Sequence, residues 1–158
     1  MGDVPAPFRE HRTRVRPEWV DYNGHMNDAA YAQVLGDANE VFLDALGLSA
    51  AYRERTGAGL FTVESHIRYL AECSLDQLLA ATSLLVFADA KKLHVCTELL
   101  DETGQPVSTG EFLYLHVDAA QGKVVPMPPD RRDDVETLLA AHSALPRPGY
   151  VGRGIATS

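Results

Sequence analysis

One long helical pattern followed by four strand patterns limits what this chain can fold into. Over residues 28–46, Ala30, Tyr31, Val34, Leu35, Ala38, Val41, Phe42 and Ala45 recur at spacings of three and four. Gln33, Asp37, Glu40 and Asp44 take the opposite side. That spacing paints one face of an amphipathic α-helix. Asn27 is a good N-cap, since its side-chain oxygen can accept an orphan N–H of the first turn, and Gly47 stands where a left-handed residue ends a helix. Strand-like runs follow over 60–70, 78–88, 93–100 and 107–117. In the first, Phe61, Val63, Ser65, Ile67 and Tyr69 alternate with Thr62, Glu64, His66 and Arg68. The second is almost continuously apolar, as a strand buried on both faces would be. Residues 101–105 include Gly104 and suit a hairpin turn between the last two. Before the helix, residues 11–17 alternate Thr13 and Val15 with arginines and stop at Pro17. A short helix is expected over 130–141.

Strand, long helix, four strands is the order of an α+β fold with a mostly antiparallel five-stranded sheet packed against one long helix. A single helix leaves the other sheet face or an edge uncovered, so a homodimer or a dimer of dimers is expected. The core domain is placed at 10–141, between a flexible N-terminus over 1–9 and an irregular Pro- and Gly-rich tail over 142–158. The 158 residues suffice for one real core. A net charge of −8 argues against a nucleic-acid partner. A polyanionic ligand would need a local basic patch, for which Arg12, Arg14 and Arg16 or Lys91 and Lys92 are candidates; the plainer reading is solvated surface charge. Cys73 and Cys96 have no metal-ligand spacing and read as reduced thiols of a cytoplasmic protein. Residues 1–12 lack the apolar segment of a signal peptide, and no run is long enough to cross a membrane.

Function points to the stretch just before the helix. Asp21, Asn23, Gly24, His25 and Asn27 crowd into seven residues at its mouth. Free N–H groups and the positive end of the helix dipole can stabilise an oxyanion there, and Asp21 supplies a base or nucleophile. Each residue alone has an ordinary structural use, Asp and Asn in turns and caps and Gly in a tight bend. Together they favour a site. Other templates fail: there is no GxSxG, HExxH, EF-hand or Gly-rich phosphate loop, and the histidines have no metal spacing. No metal and no resident cofactor are expected.

Asp21, Gly24 and Tyr31 match the D-x-x-G signature with a Tyr seven residues past the Gly. In this the chain resembles the hot-dog-fold acyl thioesterases of the 4-hydroxybenzoyl-CoA thioesterase type. The strings over 16–26 and 61–68 are similar to those of the betainyl-CoA thioesterases of carnitine breakdown. The resemblance implies hydrolysis of an acyl-CoA, betainyl-CoA or another short polar one, with coenzyme A entering only as part of the substrate. It implies that Asp21 attacks or activates water, that Gly24–His25 N–H groups receive the oxyanion, and that Asn23 and His25 orient loop or water. It also implies a site at a dimer interface, with Glu64 and His66 brought by the facing strand of the other subunit. Trp19, Tyr22 and Tyr31, with Glu64, would suit a quaternary ammonium group, although Tyr31 sits on the apolar helix face and reads rather as core. Two other readings stay open. A hot-dog enoyl-CoA hydratase resembles D-x-N-P-x-H, with acid and imidazole five apart; here Asp21 and His25 are four apart. A non-catalytic acyl-CoA-binding module would leave Asp21 without a use.

Overall fold

A computed structural model describes residues 4–155. The long helix α1 spans Asp28–Ala45. Asn27 caps it, its Oδ1 accepting the Ala30 N–H at 3.0 Å, and Gly47 ends the turn at φ +68°. The expected apolar face is buried except at Val41, which is 37% exposed, and the half-buried Ala45, while Asn39 is buried as well. Asn39 belongs inside because Thr97 donates to its Oδ1 at 2.7 Å. With that proton used, Ser83 must supply the hydrogen for its 3.0 Å contact with Thr97. Val34, Leu35, Phe42 and Leu46 are fully buried, each worth about 1.5–3 kcal/mol of transfer free energy.

Six strands form one antiparallel sheet: β1 (Arg12–Arg14), β2 (Ala58–Tyr69), β3 (Leu78–Ala88), β4 (Lys92–Leu100), β5 (Pro106–Asp118) and the two-residue β6 (Lys123–Val124). The order is β1-β3-β4-β5-β2, with β6 added beside β5. Its inner face, including Leu79, Leu85, Val95, Leu99 and Tyr114, packs on α1 in the main core. A bulge between Thr62 and Glu64 resets the β2 alternation. Phe61 lies in register with Leu115, while Ser65 and Ile67 pair with Phe112 and Gly110. Phe61 therefore leaves the face it was expected to share with them.

Several elements depart from the sequence reading. The first strand is only three residues long, because Val15 already bonds the loop at Gln77. A seven-residue helix α2 (Ala50–Thr56) buries only Tyr52, so it carries no apolar stripe to announce it. Tyr52 anchors it through a 3.0 Å bond to buried His116. The final helix α3 runs over Pro129–Ser143 and starts at the prolines. Within the segment expected to be loose, Phe8 is buried, bridges Ser83 and packs on Phe42 at 5.3 Å; residues 1–3 lie outside the described residues. The tail begins inside α3, has no regular structure over 144–155, and packs on the sheet, Gly152 donating its N–H to Glu111 at 2.9 Å.

Candidate active site

Asp21 closes a miniature hairpin. Val20 bridges Met26, and the Asp21 N–H reaches the His25 carbonyl at 3.0 Å. The turn at its tip is an Asx turn: Asp21 Oδ1 accepts the Asn23 N–H at 2.8 Å, and the Asp21 carbonyl accepts the Gly24 N–H at 3.0 Å. Gly24 completes it at φ +82°, a conformation that L side chains resist. The motif residue types are thus the ones this turn demands, and the turn in turn holds Asp21 opposite His25.

The hairpin is fastened to the start of α1. Asn27 donates from both its backbone N–H and its Nδ2 to the Trp19 carbonyl, at 2.8 and 2.7 Å, while its Oδ1 caps the helix. Met26 donates to the Cys73 carbonyl at 2.8 Å. The Ala29 and Ala30 N–H groups are taken by side chains. Among the described residues, the N–H groups of His25 and Asp28 have no partner. They are the free donors where the helix dipole is positive. The Gly24 N–H, expected among the oxyanion donors, is engaged in the turn.

A cavity of about 300 Å³ opens beside them, lined by Met26, Asp28, Tyr31, Tyr69, Leu70, Ala71 and Glu72. Tyr31 is buried and its hydroxyl donates to the Ala71 carbonyl at 2.9 Å. Burial raises its pKa above the usual phenol value, so the hydroxyl keeps its proton at neutral pH. The half-exposed Tyr69 meets its ring edge-on at 5.5 Å. His25 Nδ1 stands 3.4 Å from Glu72 Oε2 in a solvent-exposed contact.

The expected site residues divide into three groups. Asp21, Asn23, Gly24 and His25 share the hairpin. Trp19 is buried, its ring covered by the Arg16 guanidinium at 4.8 Å, and Tyr22 is 97% exposed. Neither lines the cavity with Tyr31, so one chain forms no cage from the three. Glu64 and His66 line a different cavity, with His94 and Glu111 on the outer sheet face. Sequence reasoning missed Asp28, Tyr69 and Glu72. Tyr69 and Glu72 become neighbours of the helix only by long-range packing, and nothing in their local pattern marks them. Among the described residues no three His, Cys, Asp or Glu side chains gather as a metal site would need, and no helix is long and apolar enough to cross a membrane.

Residues 15–139 match the family described as the thioesterase-like superfamily. A betainyl-CoA thioesterase from Pseudomonas aeruginosa is 37% identical over 146 residues, 92% of each chain. An L-carnitine dehydrogenase/betainyl-CoA thioesterase from Agrobacterium fabrum is 42% identical over 98% of this chain but only 32% of its own length. The chain thus spans about a third of such two-function relatives. Among solved structures, a hypothetical protein from Staphylococcus aureus in complex with CoA superposes with a TM-score of 0.89 at 27% identity, covering 99% of this chain and 100% of that one. A putative thioesterase from Pseudomonas putida gives 0.83 at 29% identity, covering 98% and 99%.

Proposed function

Because the chain belongs to the thioesterase-like superfamily, we propose that it hydrolyses an acyl-CoA thioester to the free acid and CoA, and that betainyl-CoA is its substrate. The observation that carries the reading is the pairing of Asp21 with His25 across a hairpin that ends at unpaired helix N-terminal N–H groups. An acid and oxyanion donors are what attack on a thioester carbonyl requires. Water adds to the carbonyl carbon as Asp21 takes its proton. The oxyanion is met by the N–H groups of His25 and Asp28, the C–S bond breaks, and the thiolate leaves with the proton Asp21 holds. Asn23 fixes the Asp21 carboxylate, and His25 presents its imidazole beside the same carbonyl. No metal or resident cofactor enters this sequence.

The acyl group fits the cavity at the helix start. Tyr69 and Tyr31 offer aromatic surface and Asp28 and Glu72 negative charge, the combination that attracts a quaternary ammonium. The edge strand β2 supports dimerisation. This twelve-residue strand forms one margin of the sheet and pairs only with β5, leaving a long open edge for a second copy. Such pairing would carry the partner subunit's strand toward this site.

Thiol release from betainyl-, short-chain, aryl- and long-chain acyl-CoA, with wild type beside Asp21→Asn, tests the reading. Release from betainyl-CoA that the substitution abolishes supports it. A folded protein that releases thiol from none of them sinks it.

A further inference from the structure

The proposed reaction leaves one feature unused, the arginines around β1. Arg9, Arg12, Arg14 and Arg16 fall within eight positions, out of 14 Lys and Arg in the chain, and all are exposed. The chain has 22 Asp and Glu, so partners abound. Yet among the described residues none of the four pairs with a carboxylate, whereas Arg131 meets both Asp130 and Asp134. Like charges held together repel unless an anion joins them.

A cavity of about 450 Å³ adjoins this row. Arg9 and Arg12 stand on its wall, and Leu78, Ala80 and Leu100 give it apolar surface. Its two acids are held by the chain itself: Glu102 accepts the Leu78 N–H at 3.2 Å, and Asp101 accepts the N–H groups of Thr103 and Gln105 and the Thr103 hydroxyl. An apolar floor beside two guanidiniums that no carboxylate pairs suits a purine ring carrying phosphates. The row also leads to the active site. Arg14 donates to the Asp76 carbonyl at 2.9 Å. The Arg16 guanidinium lies on Trp19, whose carbonyl holds the helix cap Asn27.

We propose that this row and cavity bind the 3′-phospho-ADP portion of CoA, with the pantetheine arm passing Trp19 to the thioester at the start of α1. This rests on the acyl-CoA reading. Calorimetric titration of the full chain with CoA, and with pantetheine as the probe lacking the nucleotide, tests it. Arg9→Gln/Arg12→Gln should weaken CoA binding about tenfold or more and flatten its salt dependence. Pantetheine binding should not change. Lys91→Gln/Lys123→Gln, with the same loss of net charge at exposed positions elsewhere, should keep the wild-type CoA affinity. With betainyl-CoA the arginine variant should raise KM and spare kcat.

Unchanged CoA affinity in the arginine variant, an equal loss in the lysine control, or an equal loss for pantetheine each overturns the proposal. Thiol release from no acyl-CoA, with CoA still held through these arginines, would end the hydrolase reading and leave this one standing.

Discussion

Two regions of the molecule gather acids and histidines, and they are built in opposite ways. The hairpin before α1 takes Asp21, Asn23 and His25 from one short stretch and leaves its half-buried acid beside unpaired N–H groups. The outer-face cavity, of about 400 Å³, takes His94 from β4, Glu111 from β5 and its roof from the tail. There Glu111 and His94 consume each other's charge. Glu111, its side chain 12% exposed, accepts from His94 at 3.0 Å and from the Gly152 N–H at 2.9 Å. Next to it burial pushes the Cys96 thiol up to about 12, with the Tyr150 hydroxyl against it. A group already satisfied stabilises; a group held in place with capacity to spare can react. The difference assigns chemistry to the hairpin and cohesion to the cavity.

The largest effect expected from that contrast is on turnover. Asp21→Asn keeps an oxygen to accept the Asn23 N–H, so the turn survives while the base is lost. Thioester hydrolysis should fall about a thousandfold, roughly 4 kcal/mol of barrier, with the thermal midpoint within a degree or two of wild type. A variant that unfolds in step with its lost activity would make the Asp21 carboxylate structural.

Glu111→Ala should do the reverse. It strands the Gly152 N–H and a half-buried imidazole, at a cost of about 1–3 kcal/mol, and should lower the melting temperature by about 2–10 °C with kcat within a factor of two. Glu111→Gln, which keeps a carbonyl oxygen, should recover part of that loss. If Glu111→Ala instead abolished hydrolysis in a protein as stable as wild type, the outer cavity would belong to the active site and the contrast would collapse.

The same contrast explains what the sequence made legible. The α1 face, its Asn27 cap and the Asp21 turn depend on residues a few positions apart, so their spacing carries the information. The Glu111–His94 contact joins residues 17 apart and the Glu111–Gly152 contact 41 apart; no local pattern encodes either. The bulge at Val63 likewise arises from pairing with β5 and resets an alternation that looked regular. Glu72 reads as the loop after a strand, and only the fold brings it to His25. The helix α2 stayed hidden because one buried side chain makes no period.

Gly24→Ala probes how finely the hairpin is set. A Cβ would meet nothing within 4 Å, but φ is +82°, so the cost is conformational, about 1–2 kcal/mol. Relief of that strain would swing the His25 N–H away from its place. The expected outcome is a small loss of stability with a larger loss in kcat than in KM. Equal kinetics for both proteins would remove the His25 N–H from the oxyanion site.

The smallest effect is a pH dependence that should reach the tail side and spare the hairpin. His142, at the end of α3 where the tail begins, is buried, stacks on Phe42 at 13°, and accepts the Leu85 N–H on Nδ1 at 2.8 Å. Accepting there requires the neutral ring, and burial lowers its pKa below the ordinary 6.5. The unfolded chain therefore takes up the proton first. Stability is intact above pH 6.5 and is lost as pH falls from there through the depressed folded value, at no more than about 1.4 kcal/mol per pH unit for one proton. Exchange of the Leu85 amide should quicken over that window while the Asp21 and Asn23 amides keep their protection, and His142→Gln should remove this histidine's share of the slope. Acidification that opens the hairpin amides together with Leu85 would mean that the two regions unfold as one unit.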